Sequence, residues 1–450
     1  MCVNYKMGNS LDLKIEEFVK HLQRLLLGVD DETRKRSSII KVNNDNLSTH
    51  GALCFPTCIE TWKKVFPKSL EPGLRCRDIL EYYLIRNGIA YDDEQITEKA
   101  FQSVIRASSD WYTKIAKCVI ENKRVSVFLN REQTFANTVS RVLARGDSYG
   151  EFESRNECFY FNVIPDRNSE LTNLRLRLIK GVAENVLKAH GCQMSNNINS
   201  QNYNITVRSG NNVSENESKV LLCGVVKSME TKAKDTALTE AEYLRQRLAE
   251  LSKMSNHKRV ISGEHGCPNT VLFQQIADAA IALEFLAVRP NRALTISSSS
   301  ALYKSSLNLK GSLFILYNTA RISAIFHKFE DECSNGNYPS LPNIENVDFS
   351  LLDQEEEWEL LYNFLLGYPE MLKSCARLDV NLEICPQYIC SFLSHLCNKF
   401  SAYYRRVRIL TEGRDHLMPT MMARLYLLKA VQIVTCNALR LINTNPVLQM

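Results

Sequence analysis

From Lys310 to Met450 the apolar residues fall at helical spacing, which restricts this part of the chain to packed helices. Leu313, Leu316, Tyr317, Ala320 and Ala324 make one face. Ile389, Phe392, Leu393, Leu396, Phe400 and Tyr403 recur every three or four residues, as do Leu425, Leu428, Val431, Ala438 and Ile442. A linker with Gly336, Pro339 and Pro342 separates the first of these from a helix over Trp358 to Leu366, which should stop before Pro369. The stretch predicts an antiparallel helical bundle over residues 310–450.

The rest of the chain alternates. Leu11, Ile15, Phe18, Val19 and Leu22 predict a helix, and Trp111, Ile115, Val119 and Ile120 a second. Arg124 to Leu129 reads as a strand, followed by a helix from Phe135 to Leu143 that ends at Gly146. A second block opens near Glu153, with a strand at Cys158 to Ile164 and an amphipathic helix from Leu171 to His190 closed by Gly191, the pattern of a βαβ half-unit. Val220 to Val226 predicts another buried strand. Ser195 to Ser218, rich in Asn, Ser and Glu, predicts a loop or disordered insertion. Thr239 to Met254 reads as a charged helix and Val271 to Phe285 as an apolar one. Three domains follow: 1–152 α/β, 153–309 nucleotide-binding-like with the insertion at 195–218, and 310–450 helical.

At 450 residues two or three domains are expected, and 45% apolar residues can supply their cores. A formal charge of +5 excludes a histone-like polycation, so any nucleic-acid surface must come from local clustering. The 15 cysteines are scattered: Cys54 and Cys58 lack a second pair at zinc spacing, and Cys385, Cys390 and Cys397 lack matching partners. They read as reduced, buried thiols in a cytoplasmic protein. The first residues do not resemble a signal peptide, and no stretch reads as a membrane span of about 20 apolar residues.

Between Ser391 and Ala430 there are seven Lys/Arg against two Asp/Glu, and Arg405, Arg406 and Arg408 directly follow Tyr403 and Tyr404. Cations beside aromatic rings at a helix end suit an RNA loop, phosphates on the cations and splayed bases on the flat groups. A solvated helix end with Tyr403 in the core gives the same pattern.

The segment Pro386-Gln-Tyr-Ile-Cys-Ser-Phe-Leu-Ser-His-Leu-Cys-Asn-Lys-Phe400-Ser-Ala-Tyr403-Tyr404 resembles the anticodon-binding domain of arginyl-tRNA synthetases, where a Pro opens a helix ending in a Phe-x-x-Phe-Tyr pattern. Arg424-Leu425 through Met450 is similar to that domain's last helix and tail. Lys310 to Ile322, with Tyr317-Asn-Thr-Ala-Arg321, resembles its entry helix. This is the DALR anticodon-binding domain. Val125 to Glu132 and Gly146 to Gly150 look like the end of the synthetase domain that packs on the tRNA elbow, which would make Ser126, Phe128 and Asn130 elbow residues. The family usually carries Asn where Ser126 stands.

The middle departs from a working synthetase. Aligning Leu174-Arg175 with the Leu-Arg that follows the His-x-Gly-His signature puts Glu170, Leu171, Thr172 and Asn173 in its place. Both imidazoles are missing, Glu170 brings an anion towards the triphosphate, and Thr172 fills the space of the Gly. A partial echo of Lys-Met-Ser-Lys-Ser at Lys253-Met-Ser-Asn-His257 reads as coincidence. No P-loop or G-x-G-x-x-G is present.

Synthetase-like ends around a degenerate middle resemble the DALR anticodon-binding domain-containing protein 3 family. That resemblance implies a degenerate class I synthetase-like Rossmann domain followed by a DALR helical bundle. It implies a non-catalytic adaptor that binds arginine tRNAs and presents them to a 3-methylcytosine tRNA methyltransferase, with no cofactor, no metal, and no DNA or membrane partner. The tRNA contacts expected are Lys399, Arg405, Arg406 and Arg408 on phosphates and Tyr404 as a stacking platform, with Arg424 and Arg321 at matching synthetase positions. Two other readings stay open: a protein-interaction module built on the same bundle, and a residual enzyme using Glu264, His265 and His257 of the middle domain.

Overall fold

The computed structural model describes residues 15–28, 39–66, 76–198, 203–210, 219–262, 270–297, 305–378, 382–412 and 414–446. Its N-terminal part holds α1 (Ile15–Leu27), β1 (Lys41–Val42), α2 (Leu47–His50), β2 (Leu53–Pro56), α3 (Ile59–Trp62), α4 (Ile79–Arg86), α5 (Ile96–Ala107), β3 (Ile115–Glu121), β4 (Arg124–Leu129) and α6 (Arg131–Arg145). The strands form one antiparallel sheet in the order β1-β2-β4-β3. The helix expected around Trp111 to Ile120 is a strand instead. Asn122 and Lys123, both at positive φ (48° and 59°), make the two-residue turn that folds β3 onto β4. Val125, Val127 and Leu129 alternate into the core, leaving Arg124, Ser126 and Phe128 on the outer face.

The middle part contains β5 (Cys158–Val163), α7 (Glu170–Ala189), β6 (Gln193–Met194), β7 (Tyr203–Ser209), β8 (Val220–Cys223), β9 (Val226–Ser228), α8 (Glu240–Ser262), α9 (Thr270–Leu286) and β10 (Leu294–Ile296). Strands β6-β5-β7-β8 form a parallel sheet in that order, with α7 packed on one face. The insertion expected at Ser195 to Ser218 is corrected at its centre. Tyr203–Ser209 is an interior strand paired with both β5 and β8, and Ile205 and Val207 are buried. Residues 199–202 and 211–218 lie outside the described residues, as do Glu264 and His265.

The single strand expected at Val220 to Val226 divides into β8 and β9, because Gly224 passes against the backbone of Arg292. A Cβ at Gly224 would lie 2.2 Å from the Arg292 carbonyl oxygen. Strand β9 then pairs in parallel with β10 in a separate two-stranded sheet. The fully buried Arg175 fastens this junction, donating to the carbonyls of Gly224 (2.8 Å), Arg292 (2.6 Å) and Arg289 (3.0 Å). Carbonyl dipoles thus replace the water a buried guanidinium loses.

The C-terminal part is α10 (Ser305–Ser334), α11 (Glu355–Glu359) continued by a π-helical turn at Leu360–Leu365, α12 (Tyr368–Ser374), the hairpin β11 (Ala376–Leu378) and β12 (Leu382–Ile384), α13 (Pro386–Arg406) and α14 (Met418–Leu441). Pro369 opens α12, where a missing N–H costs nothing. The stretch Asp415–Leu441 is long and apolar enough to cross a membrane, contrary to the expectation that none would be. Its apolar side chains, from Met421 and Leu425 to Val434 and Leu439, are spent in the bundle core. One contiguous core runs through all three parts: Phe135 of α6 packs on Phe349 and Trp358, and the Tyr149 hydroxyl donates to the Leu365 carbonyl at 2.9 Å.

Candidate nucleic-acid interface

Helix α13 buries Ile389, Phe392, Leu393, Leu396, Phe400 and Tyr403 along one face and ends in Arg405 and Arg406. A turn of about 100° per residue separates the two tyrosines. Tyr403 is fully buried, with its hydroxyl donating to Glu357 at 3.1 Å. Tyr404 is 40% exposed. Arg321, from the middle of α10, lies between two rings: its guanidinium carbon is 4.4 Å from the centre of Tyr317 and 4.7 Å from that of Tyr404. Its Nη2 donates to the Tyr317 hydroxyl at 2.9 Å and its Nη1 to Asn318 at 3.3 Å. Because Tyr317 is 39% exposed as well, the outcome is a solvent-facing Tyr–Arg–Tyr stack held by two helices.

On the flank of α13 that faces α11, the basic cluster meets an acidic helix. Lys399 pairs with Glu359 at 2.6 Å, Arg406 pairs with Glu356, and Arg424 pairs with Glu357 at 2.8 Å. Glu357 is fully buried, and it also accepts from the backbone N–H of Gln354 at 3.1 Å in the capping box of α11. Arg424 is only 15% exposed and donates its Nη1 to the Arg408 carbonyl at 3.2 Å. It therefore ties α14 to α11. Lys399 and Arg406, expected on phosphates, reach solvent, and each holds a carboxylate. Arg408 pairs with Glu412 one turn on, both well exposed. Arg405 donates to the Ser401 carbonyl at 3.3 Å and has no acidic partner among the described residues.

Where α13 hands over to α14 the surface opens into a groove of about 360 Å³, lined by Arg406, Arg408, Arg414, Arg424, Glu412 and Gln354. Burial pushes the Glu356 carboxyl up, but the backbone hydrogen bond and Arg406 outweigh it and hold it below the usual carboxylate range. Glu356 thus meets Arg406 as a carboxylate at neutral pH.

The expected elbow residues lie on β4 and at the start of α6. Ser126 and Phe128 are half-buried on the outer face of the N-terminal sheet, with the Lys117 ammonium 4.6 Å from the Phe128 ring centre. Asn130 is committed locally: its side chain accepts from the Gln133 N–H at 3.0 Å and caps α6.

In the middle domain, Glu170, Leu171, Thr172 and Asn173, expected at the place of the synthetase signature, are all used by the fold. Glu170 accepts from the Glu240 N–H at 3.1 Å, closing the start of α8. Leu171 is fully buried against Val226, Tyr243 and Phe285. The Thr172 hydroxyl accepts from the Val226 N–H at 3.1 Å. Asn173 grips the Asp166 backbone through contacts of 2.6 and 2.9 Å. The Asp166 carboxylate in turn holds the Lys234 ammonium at 2.5 and 2.7 Å and the Ser209 hydroxyl at 2.7 Å. An internal ion pair thus spans the carboxyl ends of β5, β7 and β9, where open parallel sheets receive ligands. Lys253 is exposed within α8, away from any such cluster.

Cys385, Cys390 and Cys397 are buried, and burial pushes the thiols of Cys390 and Cys397 up to about 12. They pack as small apolar groups. Among the described residues no three His, Cys, Asp or Glu side chains converge as a metal cage. Sequence reasoning missed Tyr317, Arg414 and the acidic helix. The run Glu355-Glu356-Glu357 with Glu359 was a usable signal, since such a density of anions needs cations nearby.

The model of the DALR anticodon binding domain matches residues 315–450. The chain is 34% identical over 232 residues to the DALR anticodon-binding domain-containing protein 3 of Rattus norvegicus, covering 51% of this chain and 42% of that protein. The Mus musculus protein of the same name is 33% identical over 234 residues, so the match spans less than half the length of these relatives. The arginine–tRNA ligase of Borreliella burgdorferi is 31% identical over 149 residues, covering 33% of this chain and 23% of the ligase. Among solved structures, the Thermus thermophilus arginyl-tRNA synthetase superposes with a TM-score of 0.59 at 10% identity, covering 96% of this chain and 100% of that one. The Plasmodium falciparum arginyl-tRNA synthetase gives 0.58 at 10% identity, covering 98% of this chain and 100% of that one. The fold is that of an arginyl-tRNA synthetase, a class I-like α/β body with a DALR bundle at its C-terminal end.

Proposed function

We propose that the chain is a non-catalytic cytoplasmic tRNA-binding protein that takes arginine tRNAs through its C-terminal bundle and presents them to a 3-methylcytosine tRNA methyltransferase. The observation that carries the RNA reading is the exposed Tyr317–Arg321–Tyr404 stack, together with the arginine-lined groove past the end of α13, within the stretch that resembles an anticodon-binding domain. Flat groups offer faces to unstacked bases, and Arg405, Arg408 and Arg414 offer charge to the backbone. Tyr317 and Tyr404 supply the stacking faces, with the Arg321 guanidinium packed against both rings.

The non-catalytic reading is supported by the commitment of Glu170, Leu171, Thr172, Asn173 and Lys234 to internal contacts. By the resemblance, a synthetase would need the positions of Glu170 to Asn173 open to ATP. The adaptor role follows from a division of labour. An enzyme acting on one loop base reads little of the tRNA, and a bound adaptor raises the local concentration of the right substrate.

The test is affinity for arginine tRNA and two other tRNAs at two salt concentrations, followed by methylation with and without the protein. Tight, arginine-selective binding and faster methylation of arginine tRNA alone are the expected results. A second reading is favoured by the Lys399–Glu359 and Arg406–Glu356 pairs, which leave the basic cluster less charged than its sequence suggests. On that reading the bundle binds a protein. Equal, weak binding of all three tRNAs that vanishes with salt would select it.

A further inference from the structure

Helix α11 sets three anions, Glu356, Glu357 and Glu359, against one stretch of cationic surface. Glu357 is buried and structural. Glu356 and Glu359 differ from it: they are mostly covered themselves, 14% and 6% exposed, yet they hold cations that reach outward, Arg406 at 75% and Lys399 at 39%. Each of these two cations therefore has a fixed carboxylate behind it and open solvent in front.

We propose that Glu356 and Glu359 are specificity-determining residues that occupy Arg406 and Lys399 and so withhold them from any polyanion lacking a second, better-fitting contact. The inference rests on the RNA-binding reading above and deepens it. A free surface cation gains affinity for every nucleic acid, because each phosphate it neutralises releases a condensed counterion. A cation already paired with a fixed carboxylate has no such gain: the phosphate only exchanges one anion for another. Indiscriminate binding is lowered, and an RNA must supply the difference from contacts that depend on its shape, such as bases laid on Tyr317 and Tyr404. This is discrimination by an element placed against the wrong partner. Glu412 does not serve this purpose, because it and Arg408 are both well exposed and part freely.

The experiment compares the full chain with E356Q, E359Q and the control E184Q. Glu184 pairs with Lys180 along α7, outside the basic cluster, so its loss changes net charge by the same amount. Affinities are measured for arginine tRNA and two other tRNAs at 50 and 200 mM salt, with thermal melts to confirm folding. For a single-stranded segment each phosphate contact adds about 0.7 to the salt slope. One freed cation is then worth about 8-fold at 50 mM relative to 1 M salt and about 3-fold at 200 mM. E356Q and E359Q should each tighten the non-arginine tRNAs by up to that factor and steepen their salt slope by about 0.7, tightening arginine tRNA less.

A double-mutant cycle covers a variant that folds poorly: R406Q should cost the wild type little with the non-arginine tRNAs and should cancel the gain of E356Q. Unchanged slopes, equal tightening of all tRNAs, or the same gain from E184Q would each overturn the inference while leaving RNA binding intact. No binding of any tRNA by wild type or variants would remove both readings.

Discussion

One step along α13 carries the chain from Tyr403, fully buried, to Tyr404, 40% exposed. That difference was legible in the sequence, because Tyr403 extends the apolar stripe and Tyr404 breaks it. The ion pairs were not, since Lys399, Arg406 and Arg424 find their glutamates 40, 50 and 67 residues away. Seven cations in a row of forty residues therefore read as a uniform binding surface, whereas the fold divides them into a tie, two held cations and a remainder that faces solvent. Two substitutions separate these classes. Arg424→Ala should strip the buried Glu357 of its cation and cost about 3–5 kcal/mol of stability, read by urea denaturation, because an unpaired buried carboxylate stays desolvated. An intact melting profile in that variant would mean that Glu357 takes up a proton or finds another donor. Arg405→Glu should leave stability within about 0.5 kcal/mol, as an exposed side chain away from packing does. It should weaken tRNA binding at least about 8-fold at 50 mM salt if Arg405 holds one phosphate. Unchanged affinity would take Arg405 out of the interface.

Among the elements, long amphipathic helices were plain from the sequence because burial of one face imposes their period. α6, α7, α13 and α14 all fall where that period placed them. Two strands were misread for opposite reasons. In β3 a bulge between Ile115 and Lys117 breaks the two-residue alternation, and the surviving apolar spacing mimics a helix. In β7 a seven-residue strand is flanked by Asn- and Ser-rich segments that lower the average of the whole window. Helix α1 shows how an element at the edge of the fold is secured. Glu16 bonds Lys373 of α12 at 2.6 Å and pairs with Lys20 at 3.3 Å. Burial pushes the Glu16 carboxyl up, but Lys373 and Lys20 outweigh it and bring it to about 2, below the ordinary 4.5. The sign follows from linkage. Above 4.5 the group is ionised whether folded or not, and its contribution, about 2 kcal/mol after allowing for partial exposure, is complete. As pH falls the unfolded chain protonates first, so the contribution drains away between 4.5 and about 2. Denaturation of wild type and Glu16→Gln should therefore differ most at neutral pH and converge on acidification. A difference that persists at low pH would assign the effect to packing.

At the scale of the molecule the three parts share a core and exchange polar contacts across every junction. Glu355 of α11 accepts from the N–H groups of Leu47 and Ser48 at 2.5 and 3.1 Å, and Arg131 of α6 donates to the Leu352 and Gln354 carbonyls at 3.2 and 2.9 Å. Asn185 of α7 reaches the Arg440 carbonyl at 3.0 Å, and His190 the Leu372 carbonyl at 2.9 Å. The middle domain keeps α7 wedged between its own sheet and α14, and so sets where the bundle stands relative to the N-terminal sheet. The edge of its sheet bridged by Asp166 and Lys234 and backed by the buried Leu171 and Thr172 contributes to that rigidity. A ligand at a hundred times its Kd would stabilise the folded chain by about 2.7 kcal/mol. Millimolar ATP with magnesium should accordingly leave the melting temperature where it is, while micromolar arginine tRNA should raise it. A rise with ATP would mean that the Asp166–Lys234 bridge opens to admit a triphosphate, and the middle domain would then have to be read as a nucleotide sensor coupled through α7 to the bundle.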